Sequence, residues 1–159
     1  MKKPECVFPG TFDPFTVGHR HLVEKALELY DRVIVAVADI TYKKDVLSSK
    51  TRVKIAAKSL ADLPGVVVEY FTGMLTDFLA AKGCFEIVRG IRNDEDAAYE
   101  RKLAEIYKTM DPRVRVAEIR SDMPDISSER VRLAVMNGED IRGLVCDDAL
   151  SDVVASYAK

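Results

Sequence analysis

The sequence predicts one α/β domain built on a parallel sheet, and three observations carry that prediction. Short apolar runs alternate with stretches of helical spacing along the chain. The runs are continuously apolar, as strands covered on both faces are. Turn residues separate the two patterns, which reads as β-α-β units with right-handed crossovers. The 159 residues suffice for a sizeable core and contain no linker or repeat, so 1–159 is read as a single domain.

The elements follow in order. Cys6 to Phe8 reads as the first strand. It runs into Pro9-Gly10-Thr11-Phe12-Asp13-Pro14-Phe15-Thr16-Val17-Gly18-His19 and then a helical stripe of Leu22, Val23, Ala26, Leu27 and Tyr30. Val33 to Ala38 is the second strand, and Val53, Ile55, Ala56 and Leu60 form the second stripe. Leu63-Pro64-Gly65 ends that helix. Val66 to Phe71 is the third strand, followed by a stripe of Leu75, Phe78, Leu79 and Lys82 that Gly83 closes. Glu86 to Arg89 and Val114 to Ile119 are the fourth and fifth strands. Ser127-Ser128 starts a helix with a stripe of Val131, Leu133, Ala134 and Val135, closed by Asn137-Gly138. A last amphipathic segment runs from about Asp147 to Tyr157. The architecture expected is Rossmann-like, with about five parallel strands and helices on both faces.

Composition narrows the function. A net charge of −2 supplies no basic field for nucleic acid. The longest apolar runs are too short to span a bilayer, and the N-terminal residues lack a signal peptide's apolar stretch. Cys6, Cys84 and Cys146 form no CxxC pair and no zinc pattern, so they read as free thiols of a reducing cytoplasm. The expectation is a cytoplasmic protein with no nucleic-acid or membrane partner and no metal site of its own.

In such sheets ligands sit beyond the carboxyl ends of the strands. Five segments of interest each follow a predicted strand: Pro9 to His19, Lys43-Lys44, Gly73-Met74-Leu75, Arg89-Gly90-Ile91-Arg92 and Ile126-Ser127-Ser128. Their inventory suits nucleotidyl transfer. There a phosphate oxygen attacks the α-phosphorus of a nucleoside triphosphate and pyrophosphate leaves. The protein aligns the reactants and neutralises charge with N–H groups, hydroxyls, Lys, Arg and His, and Mg²⁺ serves the leaving group.

A small-residue turn before a helix N-terminus offers unpaired N–H groups to phosphate. Thr16 and His19, three apart, share one face of the first helix there. His19 could donate to the α-phosphate; its plainer role is a helix-N-terminal His satisfied locally. His21 points elsewhere and reads as a solvated surface residue. Lys43 follows a strand end, although a solvated pair with Lys44 is the default. Arg89 and Arg92 flank Gly90, which permits close backbone approach; the alternative is surface pairing with Asp94, Glu95 or Asp96. Ser127 and Ser128 suit both an N-cap and a phosphate grip, with Arg132 one turn in. The Asp94-Glu95-Asp96 and Asp147-Asp148 runs read as solvated helix starts. The dinucleotide and Walker glycine motifs are absent, as is any Ser-His-Asp or Cys-His nucleophile set.

Together, Pro9-Gly10-Thr11-Phe12-Asp13-Pro14-x-Thr16-x-Gly18-His19 and Ile126-Ser127-Ser128-x-x-x-Arg132 resemble the two signatures of the nucleotidylyltransferase superfamily. The chain most resembles its bacterial phosphopantetheine adenylyltransferase branch, nearly end to end. Thr16, in place of a second His, favours that branch. The resemblance implies adenylyl transfer from ATP to 4′-phosphopantetheine, giving dephospho-coenzyme A and pyrophosphate. It implies catalytic roles for His19, Lys43 and Arg92. It assigns phosphopantetheine to Thr11, Lys43, Leu75 and Arg89. It assigns ATP to Thr11, Phe12, His19, Gly90, Ile91, Arg92, Glu100, Ile126, Ser127, Ser128 and Glu129. Mg²⁺ is the implied cofactor, a hexamer the implied assembly and coenzyme A an implied feedback ligand. The alternatives are a paralogue with another phosphorylated acceptor or CTP, and a non-catalytic nucleotide-binding module.

The chain departs from the family's pattern at several places. Ala97-Ala98 replace the aromatic and acidic residues usual before Tyr99. Tyr107 stands where an Asn usually faces the pantetheine pocket. Met123-Pro124-Asp125 lacks the usual aromatic, and Glu129 replaces a third Ser. Asp125 and Glu129 add negative charge near a triphosphate, which Mg²⁺ or Arg132 must offset.

Overall fold

The computed structural model describes residues 1–40 and 46–158. Five parallel strands form one sheet in the order β3-β2-β1-β4-β5. They are β1 (Lys3–Gly10), β2 (Tyr30–Ala38), β3 (Val66–Phe71), β4 (Glu86–Ile91) and β5 (Arg115–Arg120). The helices are α1 (Val17–Leu29), α2 (Ser49–Leu60), α3 (Leu75–Lys82), α4 (Asp94–Met110), α5 (Ser128–Met136) and α6 (Leu150–Tyr157), the last preceded by a 3₁₀ turn, Asp147–Ala149. The expected single parallel α/β sheet is therefore present.

Side-chain alternation along the strands splits the core into two layers. Cys6, Phe8, Val33, Val35, Val37 and Val88 face one side, with residues of α1, α2, α5 and α6. Val7, Ile34, Ala36 and Ile87 face the other, with Leu75 and Leu79 of α3. Both faces being covered explains why the strands are continuously apolar.

β1 and β4 are neighbours, although two strands intervene in sequence. From β1 the chain winds outward through β2 and β3, then returns to β4 and continues to β5. Strand order reverses between β1 and β4, and there the loops after them diverge to open a crevice.

Three differences from the sequence expectation have physical causes. β1 begins at Lys3 and β2 at Tyr30, because exposed charged residues extend both strands before their apolar centres. α4 is the longest helix, at 17 residues, yet only its start was marked by the Asp94-Glu95-Asp96 run; it buries only Ala97 and Glu100, and its apolar residues Tyr99, Ile106 and Met110 stand exposed. His21 is not simply solvated: its Nε2 lies 2.9 Å from Asp122 Oδ2, and Lys25 lies 2.9 Å from the same oxygen.

Candidate active site

The crevice has a volume of about 490 Å³. The end of β1 and the turn after it supply Thr11 and Phe12, and α1 supplies Gly18 and His19. Arg89, Gly90 and Arg92 come from β4 and its end, Glu100 from α4, and Ile126, Ser127, Ser128 and Glu129 from the start of α5. Two of the five segments in question thus meet a third here. Lys43 lies outside the described residues. Leu75 and Ile91 do not line the crevice. Leu75 is 8 % exposed and packs in the core layer with Leu79 and Phe78, and Ile91 is buried at 3 %.

Local sequence fixes the state of His19. Thr16 is the N-cap of α1, and its Oγ1 accepts from the His19 N–H at 3.3 Å. The His19 side chain reaches back, and its Nδ1 accepts from the Thr16 N–H at 3.0 Å. This is a capping box with His where Glu or Gln is usual. Because Nδ1 is an acceptor, the neutral ring carries its proton on Nε2. Phe12 and Phe15 pack against the imidazole, with centroids 5.0 and 5.2 Å away. Burial lowers the His19 pKa from 6.5 to about 4, and the charges of Arg92 and then Arg89 push the same way. His19 is thus a neutral donor at physiological pH.

Phe12 has φ = 51°, a left-handed turn that folds its ring back over Gly10. A Cβ at Gly10 would lie 2.8 Å from Phe12 Cζ, so only glycine fits. The Phe12 side chain is buried, so the turn shows the crevice mainly backbone. At Gly90 a Cβ would collide with the Leu22 side chain, which brings β4 close against α1.

Arg89 makes a two-pronged ion pair with Glu100. Nε donates to Oε2 and Nη2 to Oε1, each at 2.9 Å, and Nη1 donates to the Pro9 carbonyl at 2.8 Å. Three of five guanidinium donors are used, and two remain for a ligand. Glu100 therefore acts on the site through Arg89, because both its oxygens are taken. Arg92 is half exposed and pairs with Asp96 at 3.2 Å. Of the partners considered from sequence for the two arginines, only Asp96 is used this way. Ser127 caps α5 by accepting from the Arg130 N–H at 3.1 Å, and Ser128 Oγ donates to the Pro14 carbonyl at 2.7 Å. Arg132 does not enter the crevice; it donates to the Asp13 carbonyl at 2.7 Å.

A supporting layer lies behind the turn. Arg52, fully buried, donates to the carbonyls of Leu47 (2.7 Å), Thr11 (2.8 Å) and Ala38 (2.7 Å). Burial pushes its pKa below the usual value, while Asp13 and Asp39 pull it back up. Asp13 accepts from the Tyr157 hydroxyl. Sequence reasoning missed these roles; a buried charge is signalled only by partners distant in the chain.

A family model for cytidylyltransferase-like proteins matches residues 7–134. A phosphopantetheine adenylyltransferase of Acidovorax sp. (strain JS42) is 43% identical over 142 residues, covering 88% of this chain and 86% of that protein. Another, of Nitratidesulfovibrio vulgaris (strain DP4), is 40% identical over 154 residues, covering 96% of this chain and 83% of that one. The chain also resembles a crystal structure described as a nicotinate-nucleotide adenylyltransferase from Vibrio parahaemolyticus. That match has a TM-score of 0.74 at 18% identity, covers 100% of this chain and 97% of that one, and supports the fold alone.

Proposed function

We infer the reaction from family membership: the chain belongs to the cytidylyltransferase-like family and, within it, to the phosphopantetheine adenylyltransferases. It transfers the adenylyl group of ATP to 4′-phosphopantetheine, releasing pyrophosphate and forming dephospho-coenzyme A in coenzyme A biosynthesis. The single observation that carries the residue-level proposal is the neutral His19. Its Nδ1 is occupied, so its proton stands on Nε2, at the wall of the crevice.

Transfer needs no covalent enzyme intermediate. The phosphate of the acceptor attacks the α-phosphorus in line, and charge moves onto its equatorial oxygens and the leaving pyrophosphate. His19 donates a hydrogen bond to an α-phosphate oxygen as that charge grows. The free donors of Arg89 hold the acceptor's phosphate, with Thr11 beside it, and the resemblance assigns Lys43 to the same phosphate. Arg92 and the N–H groups opening α5 hold the nucleotide, with Ser127, Ser128 and Ile126 shaping that wall.

The crevice is not strongly cationic among the described residues. Arg89 and Arg92 face the carboxylates of Asp96, Glu100 and Glu129. No group of three His, Cys, Asp or Glu among the described residues converges as a metal cage. Mg²⁺ would arrive on the triphosphate, the way this cation is commonly bound. The ion would supply charge neutralisation on the leaving pyrophosphate.

A hexameric assembly, feedback by coenzyme A and a cytoplasmic location belong to the same proposal. Among the described residues no helix is long and apolar enough to cross a membrane. Tyr99, Ile106 and Met110 are exposed on α4, an apolar face that assembly would cover.

The test is pyrophosphate release by the purified protein with ATP, Mg²⁺ and 4′-phosphopantetheine, with dephospho-coenzyme A identified by mass. Release that depends on the acceptor and on ATP is expected. Equal turnover with CTP, or release without acceptor, would contradict the assignment.

A further inference from the structure

Behind the crevice lies a polar network that the transfer chemistry does not use. Asp13, 5 % exposed, sits two residues after Thr11 in the turn between β1 and α1. Its Oδ1 accepts from the hydroxyl of Tyr157, the last residue of α6, and from the Leu47 N–H at 3.4 Å. Its Oδ2 lies 4.0 Å from Arg132 Nη1. Leu47 also gives its carbonyl to Arg52, which holds the Thr11 carbonyl as well. The Thr11 turn, Leu47 just before α2, and α5 are thus tied to one carboxylate.

We propose that Tyr157 is a positioning residue for adenylyl transfer, its hydroxyl holding Asp13 and through it the Thr11–Phe12 turn. This rests on the reaction assigned above. The turn needs such a hold, because Phe12 occupies a left-handed conformation that non-glycine residues adopt only when surroundings impose it. The hydroxyl also stays a donor at working pH, since burial and then the bond to Asp13 raise its pKa. Thr11 and His19 flank this turn, so a small shift there misaligns the reacting groups, which costs rate steeply.

The test compares Tyr157→Phe, Asp13→Ala and the double variant, with Val153→Ala as a control. Val153 is fully buried on the same helix, in the apolar core, and has no polar group to join the Asp13 network. kcat is referred to the fraction that binds ATP, and both KM values and Tm are measured. Tyr157→Phe is expected to lower kcat about tenfold with both KM values held within about twofold. The double variant should be no slower than the slower single one, because both remove the same bond. Val153→Ala should lower Tm while keeping the parent kcat. Parent-like kcat in Tyr157→Phe, multiplicative losses in the double variant, or an equal kcat loss in Val153→Ala would each overturn the proposal. If Asp13→Ala fails to fold, the Tyr157 and Val153 variants decide the matter alone. A parent protein without acceptor-dependent release would overturn the assigned reaction itself, and is seen before any variant is made.

Discussion

Lowering the pH should destabilise this protein through His19. The unfolded chain takes up a proton near pH 6.5, whereas the folded ring resists it until about pH 4. A depressed histidine contributes stability that is fully present above the unfolded value and is lost as pH falls towards the folded value. The window is therefore pH 6.5 to 4, and the loss is about 3 kcal/mol at 1.36 kcal/mol per unit. Carboxylates titrate in the same range, so a reference variant is needed. His19→Asn keeps an acceptor near the Nδ1 position for the Thr16 N–H but cannot take up the proton. Urea melts of both proteins at pH 7.5, 6.5, 5.5 and 4.5 give the comparison. The parent should lose about 2.5 kcal/mol more than the variant between pH 7.5 and 4.5. Parallel stability curves would refute the neutral ring.

Three further outcomes are expected. His19→Ala should lower kcat by roughly 10²–10³, the usual cost of removing a transition-state donor, measured as pyrophosphate release at saturating substrates. Arg52→Ala strands the buried carbonyls of Thr11, Ala38 and Leu47; about 3 kcal/mol of stability should go, lowering Tm by about 10 °C in a thermal melt. Gly90→Ala drives a methyl group into Leu22 and should cost about 1–3 kcal/mol in urea denaturation.

The strand centres were legible because a doubly covered parallel sheet demands unbroken apolar runs, such as Val33 to Val37. α5 was legible from its cap, since Ser127 does at the backbone what its residue type suggests, whereas α1 was read from its apolar stripe and the cap that Thr16 forms was not. The extent of α4 was not, because its apolar residues Tyr99, Ile106 and Met110 stand exposed among charged ones instead of packing into the core. The first-motif residues Thr11 and His19 were found because strand, turn and helix N-terminus lie within one short segment. Leu75 shows the limit of that approach. It follows a strand end, yet its side chain turns into the core layer. The Arg89–Glu100 pair, eleven residues apart across β4 and α4, was not read from the sequence, and the Tyr157–Asp13 contact joins residues 144 apart. Pairings of that kind depend on how whole helices dock, which no local pattern encodes.

Direct transfer between two bound substrates is best tested by isotope exchange. Labelled pyrophosphate is incubated with enzyme, Mg²⁺ and ATP, with and without dephospho-coenzyme A, and label in ATP is followed. Direct transfer predicts exchange only when dephospho-coenzyme A is present, because pyrophosphate must attack that product to remake ATP. Exchange with ATP and pyrophosphate alone would reveal a covalent adenylyl-enzyme and contradict a site that works by positioning and charge neutralisation.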